Sequence, residues 1–235
     1  MDAFSGVAEF IRMTEAKVHD RKFLYHIDLP ANSFIVFDKA CNLYSQFAKW
    51  TTKRIWFVSR MKDNAVYHVT KVIADNTKKK NPKGVLKDQC ITIGYKNTNG
   101  ELLRLKLRRI TFKAADGKIY VFITNSFTLP ASQIALIYKC RWMIEIVFRQ
   151  IKQNFPLRYF WGNNENAIKM QVYCVLIAQL LMVVIRKKAA TKKSFANMIT
   201  VIRLHLMSYV ELFEFIKDTY KAWRKAHNAP NAFAT

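Results

Sequence analysis

Four polar residues near the middle of the chain, Tyr138, Arg141, Glu145 and Lys152, stand at intervals of three, four and seven. On a single helix turning ~100° per residue, these side chains fall within an arc of about 60°. A carboxylate bracketed by Arg, Lys and Tyr suits a phosphodiester: the carboxylate binds a metal, and the cations and hydroxyl hold phosphate oxygens. Mg²⁺ fits such a site, taking oxygen ligands and leaving positions for water and phosphate. One carboxylate cannot hold a metal pair, so others must converge on it. Asp38, which closes the apolar run Ser33 to Phe37, is the natural second, because an acid at the carboxyl end of a buried strand points into a fixed crevice. Each residue also has a plainer reading. Glu145 can pair with Arg141 or Arg149 on a solvated helix face, worth ~0.3 to 0.5 kcal/mol, and Asp38 can cap the helix that follows it. Only the joint pattern favours the chemical reading.

The elements that must position these groups follow from periodicity. Val7 to Met13 and Ser33 to Phe37 are short apolar runs separated by a polar stretch, Thr14 to Arg21, and read as strand, loop, short helix, strand. Lys39 to Trp50 carries Ala40, Leu43, Tyr44 and Phe47 at helical spacing, so the chain turns from strand to helix beside Asp38. Ile55 to Ser59 is a further buried strand. From Met61 to Asn125 the pattern alternates, as in Leu103-Leu105-Leu107, and Asn99-Gly100 and Asp116-Gly117 supply hairpin turns. Lys78 to Gly84 interrupts this β-rich block with a solvated charge run. Pro130 opens a helical part with three long helices, Ser132 to Asn154, Asn166 to Lys188 and Ser194 to Asp218, and the tail after Trp223 frays. In the first of these, Cys140, Ile144, Val147 and Ile151 form an apolar stripe expected to face the core.

Thirty-nine Lys and Arg against sixteen Asp and Glu leave a formal net charge of +23, which calls for a polyanionic partner, most commonly nucleic acid. The apolar run Val172 to Ile185, closed by Arg186, Lys187 and Lys188, is shorter than the ~20 residues of a membrane span and reads as a buried core helix. The first residues have neither a basic nor a continuous apolar region, which points away from secretion and towards the cytoplasm. Cys41, Cys90, Cys140 and Cys174 lie far apart without a C-x-x-C pair and read as reduced, mostly buried thiols. His19-Asp20 is better explained by helix capping than by a catalytic dyad, since adjacent residues rarely aim at one point. Trp56, Trp142 and Trp161 sit among apolar neighbours and default to packing.

The string Tyr138-x-x-Arg141-Trp142-x-Ile144-Glu145-x-x-Phe148-x-x-x-Lys152 closely resembles the Y-x2-R-x3-E-x6-K signature of DDE transposases in the insertion-sequence-four family. Thr14 to Asp20, Val36 to Ala40 and Phe57 to Lys62 resemble that family's blocks in the family's order. The resemblance implies an α/β fold: an RNase H-like core over residues 1–60 and 126–218, a β-rich insertion over 61–125, a helical carboxy-terminal part and a flexible tail, 219–235. It implies that Asp38 and Glu145 are catalytic carboxylates that ligate divalent metal, Mg²⁺ or Mn²⁺. Tyr138, Arg141 and Lys152 match residues that grip phosphates of DNA near the transposon end. The implied activity is cleavage and strand transfer by two-metal phosphoryl transfer, with transposon-end and target DNA as partners. A homodimer in a synaptic complex and a cytoplasmic, nucleoid-associated location follow by the same analogy, with no membrane partner.

The sequence departs from the family pattern in two places. The family's first catalytic Asp lies on an earlier strand, and Met1-Asp2-Ala3-Phe4 resembles the strand after it, so Asp2 is not that residue. Cys41 replaces the customary aromatic after Asp38. The expectation is therefore an incomplete core with its first strand missing and a chain inactive in transposition; the alternative is a non-catalytic, basic, nucleic-acid-binding remnant. Mg²⁺-dependent nicking of matched transposon-end DNA, lost in Glu145→Ala, would contradict inactivity.

Overall fold

The computed structural model describes residues 20–78, 84–97, 99–155, 157, 159–205 and 211–228. The expected strand Val7 to Met13, the Thr14 to His19 stretch and the centre of the Lys78 to Gly84 run lie outside them. The chain divides into a sheet unit, Thr14–Met143, and a helical unit, Met1–Met13 with Ile144–Thr235.

In the sheet unit, β1 (Phe34–Phe37) and β2 (Trp56–Arg60) pair in parallel, with Phe37 opposite Ser59. Parallel neighbours need a crossover, and α1 (Tyr44–Thr52) supplies it. Its Phe47 and Trp50 are fully buried on Phe37 and Phe57, with the Phe47 and Phe57 rings 4.2 Å apart. The helix expected from Lys39 starts later, because Asn42 interrupts it. Lys39–Cys41 forms a single 3₁₀ turn, while the Asn42 amide donates to the Arg60 carbonyl at 2.8 Å and accepts from the Ser59 hydroxyl at 2.7 Å. A side chain spent on β2 in this way fixes the turn against the strand.

The alternating block forms β3 (His68–Asp75), β4 (Gly84–Lys96), β5 (Leu102–Lys113) and β6 (Ile119–Thr124), all antiparallel. Gly100 and Gly117 take φ of +82° and +84° in the two expected hairpin turns, a region that disfavours side chains. β6 pairs with β2, so the block continues the sheet in the order β1-β2-β6-β5-β4-β3. Buried Asn125 locks this junction: its carbonyl accepts from the Phe57 amide at 2.9 Å and its NH₂ donates to the Ile55 carbonyl at 2.9 Å. One sheet face, through Ile91, Leu105, Leu107 and Ile123, meets the core that α1 covers. The other, through Val58, Ile110 and Phe122, meets Ile134 and Tyr138 of α2 (Ala131–Lys139).

The single helix expected over Ser132 to Asn154 is two helices. Cys140 and Arg141 donate to the carbonyls of Ile137 and Tyr138, three residues back, at 3.0 Å each. This tight turn ends α2 and resets the rotation before α3 (Trp142–Asn154). Glu145 and Lys152 still share a face of α3, but the common arc with Tyr138 does not survive. Of the expected apolar stripe only Ile151 is buried, and Trp142 is 53% exposed.

In the helical unit, α4 (Glu165–Ala189) begins with the Asn164 side chain accepting from the Ala167 amide at 2.7 Å. The α5 helix (Phe195–His205) follows, and an Arg203 NH group donates to the Asn154 carbonyl at the end of α3. The core joins Ala189, Phe195, Met198, Ile199, Ile202 and Ile216. The expected third helix is divided: α5 ends at His205, and α6 (Leu212–Lys217) and α7 (Thr219–Asn228) follow, so helix occupies much of the expected tail.

The α4 helix is not the buried helix expected. At 25 residues it is about 37 Å long, and 11-residue α5, about 16 Å, is too short to cover it. Only Val175, Gln179 and Ala189 are buried. It is long and apolar enough to cross a membrane, with 11% of its most apolar window buried. Trp161, expected in the core, is 93% exposed. All four cysteines are free, as expected, but only Cys90 is buried and Cys174 is exposed.

Candidate active site

Asp38 follows the last residue of β1 in extended conformation, φ −76° and ψ 157°, and its Oδ1 accepts from the Ala40 amide at 3.1 Å. The capping reading is thus realised, and it engages one carboxylate oxygen. Continuing the β1–β2 register by one residue brings Asp38 level with Arg60, the last residue of β2. Carboxyl ends of adjacent parallel strands open on one edge of the sheet, so the acid and the guanidinium stand at the same end, and both act electrostatically on Tyr138 without forming an ion pair with each other.

The helix α2 delivers Tyr138 to the same sheet face. Its ring packs on Phe122 at 4.9 Å between centroids and is 9% exposed. The Arg141 guanidinium, from the turn after α2, lies 5.7 Å from the Tyr138 ring centroid, and that of Arg60 lies 5.4 Å from the Tyr120 ring. Burial raises the Tyr138 phenol above its ordinary value; Arg141 pulls it down, Asp38 pushes it up and Arg60 pulls it down. The phenol thus feels all three charged groups, with its oxygen close enough to the Arg141 guanidinium for hydrogen bonding as well as charge to lower its pKa, and its own proton meets no acceptor of ordinary geometry among the described residues. A buried donor without a partner is costly in a closed protein and available to a ligand oxygen.

Three of the expected residues, Asp38, Tyr138 and Arg141, therefore gather in the sheet unit. Arg60 joins them, unsingled in the sequence; its signal was its place at the end of the strand paired with the one before Asp38. Glu145 and Lys152 stand on α3 within the helical unit, seven residues and about 10 Å apart along one exposed face. Among the described residues no group of three His, Cys, Asp or Glu is placed to hold a metal ion. Asp38 retains an oxygen outside its cap, and carboxylate oxygen is the hard donor that a small divalent cation takes. One carboxylate oxygen is part of a donor set for such an ion, not the whole of it.

An acid at a parallel strand end, with guanidinium groups and a buried phenol nearby, is a set of side chains whose donors suit phosphate oxygens. Residues 1–181 match the transposase DDE domain profile, and the chain belongs to that family. It is 32% identical over 184 residues to a Sinorhizobium fredii protein named as a transposase, y4zB, covering 77% of this chain and 50% of that one. It is 29% identical over 152 residues to a protein of Geobacillus stearothermophilus named as a transposase for insertion sequence element IS5377, covering 65% and 39%. It is 26% identical over 210 residues to a Synechocystis protein named as a transposase for insertion sequence element IS4SA, covering 87% and 55%. The chain spans about half the length of these relatives or less. Among solved structures, the piggyBac transposase in a synaptic complex with hairpin DNA matches with a TM-score of 0.44 and 10% identity, over 92% of this chain and 43% of that one.

Proposed function

We propose that this chain carries part of a DNA cleavage and strand-transfer site with an RNase H-like core, residues 1–60 and 126–218, interrupted by the β-rich insertion 61–125. The carrying observation is the juxtaposition of Asp38 with Arg60, Arg141 and the buried Tyr138 phenol at the end of two parallel strands. Asp38 and Glu145 are the proposed ligands of a divalent metal, Mg²⁺ or Mn²⁺. When bound, such a metal activates water and neutralises charge on the phosphate. The chain's own groups do the rest. Arg141 and Arg60 hold non-bridging phosphate oxygens, the Tyr138 hydroxyl donates to one of them, and Lys152 grips the flanking backbone. The DNA is an insertion-sequence end and its target, held in a homodimeric synaptic complex, in the cytoplasm at the nucleoid.

The basic excess of +23 also supports a second reading, a nucleic-acid-binding remnant without metal dependence. Measuring binding to DNA bearing insertion-sequence ends, with and without Mg²⁺ or Mn²⁺, separates the two. The catalytic reading expects the metal to tighten binding and expects Asp38→Asn, which keeps the cap acceptor, to abolish that response. Equal affinity with and without metal, or an unchanged response in Asp38→Asn, would favour the remnant.

A further inference from the structure

The sheet has a second cationic feature, away from Asp38. On the face that α2 covers further along, the hairpin end of β4 and β5 is bare: Gly94, Lys96, Arg104 and Lys106 are all exposed. The register puts Gly94 opposite Arg104 and Thr92 opposite Lys106, so these positions lie on one face. Lys71 of β3 continues the row, since its partner Cys90 is in turn the partner of Arg108. Beyond β6, Lys106 Nζ lies 5.7 Å from the ring centroid of half-exposed Phe127. The nearest acid on this face, Asp88, is buried and bound to Arg108. Among the described residues no carboxylate pairs with Lys71, Lys96, Arg104 or Lys106.

A solvated face of mixed sign needs no partner, but a face whose exposed charges are all cationic attracts a polyanion; exposed Leu102, opposite Lys96 and against Gly94, is the apolar member of the row. Arg104 and Lys106 are two residues apart on one strand, about 6.8 Å. A spacing of that order lets the two cations meet neighbouring phosphates of one strand. We propose that this face binds the sugar–phosphate backbone of duplex DNA without reading its sequence, as a contact separate from the Asp38 site. The proposal rests on the reading of the chain as a DNA-acting protein. It gives the β-rich block a binding role of its own.

The test is fluorescence anisotropy of the whole chain with a labelled duplex over a range of salt concentrations. Arg104→Gln/Lys106→Gln should weaken binding roughly tenfold at low salt and make the slope of log affinity against log salt shallower by about 2. Gly94→Glu, whose Cβ meets only Leu102 at 3.7 Å, puts a carboxylate beside Arg104 and should also weaken binding. Lys53→Gln/Lys118→Gln removes the same charge from residues already paired with Asp28 and Asp116, and should leave the slope unchanged. Thermal unfolding of each variant checks that the fold is kept. An unchanged slope in the first variant, or an equal fall in the control, overturns the sheet-face contact and leaves the Asp38 reading standing. A chain with no salt-dependent affinity for duplex DNA overturns both.

Discussion

Asp38 has a structural role whether or not it binds metal, and the two roles separate chemically. Its carboxylate caps the 3₁₀ turn through the Ala40 amide, so Asp38→Ala should destabilise the sheet unit by about 0.5 to 2 kcal/mol. Asp38→Asn keeps an acceptor oxygen and should lose much less, and urea denaturation of the pair measures the difference. Tyr138 offers a second test through pH. Burial raises its phenol pKa in the folded chain, and the net effect of Asp38 and the two arginines leaves it raised. A raised pKa means the folded state holds the proton more tightly than the unfolded state. The stabilisation is therefore complete below the unfolded value near 10 and is lost as pH rises through the folded one. The urea midpoint of the wild type should fall above about pH 10. Tyr138→Phe should remove part of that fall, the remainder coming from Tyr44, whose phenol burial also raises.

The β5 strand steers the site from the same face of the sheet, two strands away from β2. Arg108 donates through Nε and Nη2 to Asp88 on β4 at 2.9 and 2.6 Å, and through Nη1 to the carbonyls of Ser126 and Leu129 at 3.3 and 2.5 Å. Those carbonyls belong to the turn between β6 and α2, so the pair sets where α2, and with it Tyr138, begins. Both side chains are about 5% exposed, and a charge stranded there has no water to fall back on. Arg108→Met should cost about 3 to 5 kcal/mol, and Arg108→Met/Asp88→Leu should recover much of it. A double-mutant cycle in guanidinium reads both values. A structural outcome alone is expected to follow the global stability; loss of α2 position should also speed hydrogen exchange at residues 131–138 beyond what the global change explains.

At the scale of the whole molecule, apolar surface is distributed unevenly. Met170, Tyr173, Ile177, Leu180, Leu181 and Val184 recur at helical spacing along α4 and are all exposed. Water wets such a stripe at a cost of about 25 cal/mol per Å² relative to burial. The chain should accordingly bind an apolar dye such as ANS, and Ile177→Glu/Leu181→Glu should lower that signal without unfolding the sheet unit, checked by near-ultraviolet circular dichroism.

Much of this molecule was readable in its residues. Alternation marked the strands, the two glycine turns marked their hairpins, and the +23 charge with the Tyr138 to Lys152 string marked the family's chemistry, because these depend on local sterics and on residue type. Helical periodicity also found α4 and α5, but it assumed one unbroken rotation from Ser132 to Asn154. That assumption failed at Cys140-Arg141, where three-residue hydrogen bonds reset the phase. The neighbourhood of Arg60, Asp38 and Tyr138 was legible only in part, since it depends on strand register and on which sheet face α2 covers. Likewise the bonds of Asn42, Arg108 and Asn125 join residues 17 to 74 positions apart. Pairings between distant residues are decided by the tertiary packing that brings their strands together, and no local pattern encodes them.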